Sequence, residues 1–322
     1  MMNIDMNYQH IIWSHDELPY EPFVHEGFLN SYTIKPRFTI GLTEYLNITL
    51  SQVVGVRQMI WDRDELSAHH RTEDTTTDFT NTLGVQAKGG VFGDFKINLK
   101  YLYKNVGMKE GARIYFGAGL VLPSKVVLRE DPFKKPENPN NPDSWDSGEY
   151  DHRHFSLSNG VYKTTFEAQI FNKRFSNPIF YGAVFNLEVP MDSSQYGYMP
   201  GINYSISGSL VLERKSYKDG EFSLIPGGFL YGVSFIGVEE ASWHNNPTPN
   251  SKSKMLVPSF GGIWPTEKGS ISISLQKPLF IKGKSIMIGI EDVSDDPLKN
   301  KTNAFEIVFG YRRSLGYMIP WL

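Results

Sequence analysis

The stretch GDFKINLKYLY, residues 93–103, sends Phe95, Ile97, Leu99, Tyr101 and Tyr103 to one side of an extended chain. Asp94, Lys96, Asn98 and Lys100 go to the other. A period of two is the mark of a β-strand with one apolar and one polar face. The length over which such runs hold limits the fold most. Residues 32–42 set Tyr32, Ile34, Phe38, Ile40 and Leu42 against Thr33, Lys35, Arg37 and Thr39. The same alternation returns in LNITLS, ARIYFGAGLVLP, GVYKTTFEAQIF, INYSISGSLVLE, GSISISLQ and NAFEIVFGYRR. Strands of soluble sandwiches run to ~5–6 residues. These approach the ~9–11 of a tilted strand that spans a membrane.

The apolar face of each strand therefore has lipid as its second layer, and the polar face, rich in Ser, Asn, Gly and Thr, lines an interior. Hydrocarbon offers no partner to an unpaired strand edge, so the sheet has to close. The expected fold is all-β: a closed, antiparallel, up-and-down transmembrane β-barrel of about twelve strands, with ten to fourteen as the range. The chain's 21 Phe and 17 Tyr are ample for aromatic girdles, and its 29 Gly suit a sheet full of turns. No run approaches the ~18 apolar residues of a membrane helix. Zero Cys excludes a disulfide framework and thiolate metal sites. A formal charge of −3 gives no electrostatic reason to expect nucleic acid. The opening MMNIDMNYQHIIWSHDELPY lacks the basic start and apolar stretch of a signal peptide. Export then requires that a signal has been removed or that the start is incomplete.

Connection lengths give an orientation. TEY, NVGMKEG, NKRFSNP, KSYKDGEF and PTEKG are short links, and they alternate with long ones near 62–90, 124–158, 190–200, 238–253 and 282–302. Short turns face the periplasm in outer-membrane barrels. Eleven strands are countable in this way, so a twelfth lies upstream or irregularly within residues 1–30. The expected organisation is an irregular N-terminal segment over 1–30, a barrel over 31–312 and a tail over 313–322.

The run FGDFKINLKYLY…ARIYFGAGLVLPSK resembles the G-x-GD strand, hairpin and G-x-x-x-P strand end of a broad group of bacterial outer-membrane barrels, the transporter-like or phenol meta-pathway proteins. GLTEYLNITL is similar to their turn before strand two, and SISISLQKPLF to their penultimate strand. The resemblance implies an outer-membrane location and passage of small, in part apolar, compounds.

Three constellations could carry chemistry. DHRHFSLSNG, residues 151–160, is similar to the His-x-Ser-Asn-Gly motif of outer-membrane phospholipase A. Here Ser158-Asn159-Gly160 follows His154 by four residues, about 13 Å along a strand. Ser156 has the right spacing but lacks the Asn-Gly. The histidines all fall outside the strands read above, and His69, His70, His152 and His154 are the candidates for a metal at the long-loop rim. The presumed interior receives Lys35, Arg37, Arg57, Lys96, Lys100 and Arg113 from early strands, and Glu167, Glu188, Glu213 and Glu306 from later ones. That order predicts a basic wall facing an acidic wall along a solute path, or a salt-bridged plug. Polar-face sites such as Asn98 should accept an added charge.

The function expected is a passive channel or uptake component for small solutes, with outer-membrane lipid and solute as its partners, no nucleic acid and no cofactor. The competing readings are a phospholipase-type lipid hydrolase using His154 and Ser156, and a soluble β-barrel or sandwich binding protein.

Overall fold

A computed structural model describes residues 1–15, 25–61, 91–107, 109–124, 157–214, 224–248, 251–282 and 300–315. Twelve antiparallel strands follow one another around a closed barrel. They are β1 (Met2–His15), β2 (His25–Gly41), β3 (Leu46–Trp61), β4 (Phe92–Lys104), β5 (Gly111–Leu122) and β6 (Lys163–Lys173). The circuit continues through β7 (Phe180–Pro190), β8 (Asn203–Glu213), β9 (Gly228–Val238), β10 (Ser253–Thr266), β11 (Gly269–Gln276) and β12 (Asn300–Arg313). β11 is interrupted at Lys277-Pro278 and resumes as Leu279–Lys282 against β10. β12 closes the circuit on β1, with Met6 opposite Phe309 and Tyr8 opposite Ile307.

The barrel thus runs from Met2 to Arg313, which corrects the expectation of an irregular segment over 1–30. β1 pairs along its length with both β2 and β12. The alternation exists in the sequence: Met2, Ile4, Met6, Tyr8 and Ile12 point one way, and Asn3, Asp5, Asn7 and Gln9 the other. Asn and Asp are weak strand formers and Met is no strong one, and His10 falls in the apolar series, so only pairing with two flanking strands makes this segment regular. With β1 counted, both described ends of the circuit, Met2 and Arg313, lie on the rim of the short turns.

Register assigns every strand an outer and an inner face. Leu99 pairs with Ile48 and Ala118, and Phe166 with Ala118 and Leu187, so the apolar residues form continuous outward rows. Leu99, Phe116, Phe166, Ile206 and Phe260 are 45–54 % exposed. Soluble monomers rarely expose contiguous apolar patches beyond a few hundred Å², and here the whole circumference is apolar. Lipid is the missing layer, and the soluble reading fails.

At one irregularity on this exterior a side chain serves the backbone. The β2–β3 ladder carries no pair at Lys35 or Pro36, and the β3–β4 register shifts between Gln52 and Val54. Proline has no N–H to offer the ladder, and a bulge beside it leaves carbonyls unpaired. The Gln52 side-chain amide donates to the carbonyls of Val53 (3.0 Å) and Gly93 (2.7 Å). A polar residue at an outward register is tolerated in lipid because its donors are spent on backbone.

Candidate functional site: the barrel interior

The charged candidates named from the sequence all take inward registers, but they do not form two opposed walls. β5 carries Gly117 and Gly119 on its inner face, in register between β4 and β6: Lys100 faces Gly117, which faces Glu167. With no side chain between them, the Lys100 ammonium crosses β5 to the Glu167 carboxylate at 2.5 Å. Asn98 adds a hydrogen bond to Glu167 at 3.1 Å, and Gln169 donates to the same carboxylate. Lys96 reaches further, to Glu188 on β7, at 2.9 Å. Lys163 lies 4.0 Å from Asp94.

The network continues on the other side of β4. Arg37 sits 3.6 Å from Asp5, whose two oxygens also accept the Asn3 amide. Lys35 lies among Arg37, Lys96, Glu188 and Asp5, close enough to feel their charges. Asn7 donates to Glu306. The expected separation of charge into a basic and an acidic wall is therefore corrected: acids and bases intermingle on β1, β2 and β4–β7. Held apart in a low-dielectric interior, uncompensated charges would each cost several kcal/mol, and the β5 glycines leave room for them to meet.

Arg113 and Glu213 sit at the rim, away from these ion pairs. Arg113 lies at the short-turn end of β5 and donates to the Gly107 carbonyl in the β4–β5 turn. Glu213, at the same rim, is exposed. Arg57 faces inward toward the long-loop end of β3. The other part of the wall carries almost no charge. Along β8–β11 the inward positions alternate short polar residues and glycines (Ser207, Ser209, Gly232, Ser234, Ser259, Ser274) with apolar ones (Leu230, Ile236, Met255, Val257, Ile263), with Glu213 the one charged residue, at the rim.

Sequence reasoning missed how the ends of the 123–162 connection are fastened. Asp94 accepts the Ser124 N–H at 3.3 Å and the Ser158 hydroxyl. Ser158, 2 % exposed, accepts the N–H groups of Ser124 (3.3 Å) and Gly160 (3.0 Å). A Cβ on Gly93 would stand 2.9 Å from the Leu157 carbonyl. The Gly93-Asp94 pair therefore joins close backbone approach to a carboxylate that holds both loop ends, and the Gly-Asp dipeptide was its only signal. Ser158 is thereby engaged structurally. His154 and Ser156, the hydrolase candidates, lie outside the described residues, as do His69, His70 and His152.

The histidines that are described have other roles. His10, expected outside the strands, is on the outer face of β1, 2.6 Å from the Asn30 side-chain oxygen, with its ring 5.2 Å from that of Phe305. His244 and Asn245 take φ of 49° and 67° in the tight turn of a small three-stranded sheet at the long-loop rim. In that sheet Tyr198 packs against the buried Trp243, ring centroids 5.3 Å apart, and burial pushes its phenol up to about 12. Glu239 is held below the usual carboxylate range by a hydrogen bond from Lys252. Among the described residues, no three His, Asp or Glu gather to hold a metal ion.

No family model and no curated relative matches the sequence. Solved structures do. An outer-membrane channel from Pseudomonas putida F1 superposes with a TM-score of 0.54 at 10 % identity, covering 96 % of this chain and 94 % of that one. The translocator domain of the autotransporter NalP from Neisseria meningitidis gives 0.37 at 8 %, covering 97 % and 88 %. The Pseudomonas putida toluene transporter TodX gives 0.36 at 9 %, covering 98 % and 88 %. With the closed circuit and the apolar exterior, the first of these establishes the fold: this chain is an outer-membrane β-barrel.

Proposed function

We propose that the protein is a passive outer-membrane channel for small solutes. The observation that carries the reading is a polar interior that runs from rim to rim inside a lipid-facing shell, from Arg312 and Glu213 at the short turns to Asn203 at the long loops. The likeness in fold to an outer-membrane channel is consistent with it. The narrow interior and its ion pairs favour small solutes over large ones. Membership of the transporter-like group, with apolar compounds among the cargo, belongs to the same proposal. The test is reconstitution of the folded protein into planar bilayers and liposomes. Stepwise conductance and swelling in small uncharged solutes are expected. A barrel that neither conducts nor admits any solute sinks the reading.

A further inference from the structure

The interior is divided unequally, and the burial of its shortest side chains shows where the space is. On the charged side, five inward-facing short polar residues are covered: Thr165 is 3 % exposed, Asn98 4 %, Ser31 5 %, Ser51 7 % and Thr49 8 %, while Thr33 and Thr39 of β2 are half-buried. Long paired side chains from β2, β4, β6 and β7 occupy this side, with Lys100–Glu167 and Lys96–Glu188 as the bars. The serines of β8–β11 are just as short and face the same interior, yet Ser207, Ser209, Ser234, Ser259 and Ser274 all remain half-buried. Ser253 (7 % exposed) and Val257 (6 %), inward on the same wall nearer the long loops, are covered; the five serines are not. They also lie beside one another: Ser209 pairs with Gly232, which pairs with Ser259, and the Ser234 hydroxyl donates to that of Ser207 at 2.8 Å.

Resting on the channel reading, we infer that the solute path is off-centre. It runs along the serine–glycine wall of β8–β11, while the ion-paired side of β2–β7 is a fixed plug. The consequence for selectivity is chemical. The middle of the path presents hydroxyls and glycine backbone interleaved with apolar side chains such as Leu230, Ile236 and Val257, without fixed charge, and the charges opposite neutralise one another. Fixed charge in a narrow low-dielectric pore sets ion preference, so this path discriminates weakly between cations and anions. It suits small uncharged solutes that can exchange hydrogen bonds with hydroxyls. Lys96 and Lys100 act on stability, and Ser234 and Ser259 on passage.

The absence of cysteine makes the test direct. Ser259→Cys, Ser234→Cys and Thr165→Cys would each be folded, reconstituted and then exposed to a small neutral methanethiosulfonate in water. Modification comes after folding, so a change in passage cannot be a folding defect. At Ser259→Cys and Ser234→Cys, reaction is expected with a fall of about fivefold or more in conductance and in glycerol-driven swelling. Thr165→Cys should stay unmodified. The reverse pattern, or modification of both serine-wall sites without loss of passage, overturns the off-centre path while leaving the channel standing. An unsubstituted barrel with no conductance and no swelling overturns the channel itself and this inference with it.

Discussion

At the scale of single residues, the inner and outer faces impose opposite rules. Leu99 points into lipid from the middle of β4, so Leu99→Arg should cost about 2–4 kcal/mol, read as a lowered denaturant midpoint for folding into vesicles. Its neighbour Asn98 points inward, and alternation alone would admit a charge there. The structure does not: Asn98 is 4 % exposed, spends its amide on Glu167 and backs onto Gly119. Glu167 illustrates the cost of an orphaned partner. Glu167→Gln leaves the Lys100 ammonium without its carboxylate, and about 3–5 kcal/mol of stability should be lost. The double change Lys100→Met with Glu167→Met should recover much of that loss. A single variant as stable as the parent would show that the pair is solvated rather than enclosed.

At the scale of elements, β5 decides what its neighbours can do. Its two inward glycines are the reason that charges on β4 and β6 meet. A Cβ at Gly119 would stand 2.2 Å from the Ile97 carbonyl and 2.9 Å from Asn98 Oδ1. Gly119→Val should therefore part β4 from β5 locally and cost about 1–3 kcal/mol. The loss should appear as faster amide exchange at Ile97–Leu99, with β8–β11 unaffected. β1 makes the complementary point. Its inner Asn and Asp residues and outer methionines form a weak strand alone, and its regularity comes from β2 and β12 on either side.

At the scale of the whole molecule, twelve strands place the described ends of the barrel and all the short turns on one rim and the long connections on the other. Single cysteines test this in a chain that has none. An impermeant maleimide added to intact cells should label Asn245→Cys, in the turn of the rim sheet, and should reach Glu44→Cys, in the β2–β3 turn, only after the outer membrane is opened. Equal labelling of the two would mean that the strand count is wrong by one between them.

Period-two alternation held over long runs determined the closed barrel, its lipid-facing side and the order of short and long connections, because each is a local property of strand and turn. The inward register of Lys96, Lys100, Glu167 and Glu188 follows from the same alternation. The partners of those charges could not be read that way. Which lysine meets which carboxylate depends on strands separated by one or two others and on the glycines of β5, and pairing across intervening strands has no signature in the spacing of residues along the chain. Nor could β1, the strand missing from the count, be recognised from its composition, since its regularity comes from its neighbours. The uneven division of the interior, with paired side chains filling one part and short hydroxyls lining the other, exists only once the sheet has closed and brought β8–β11 to face β2–β7.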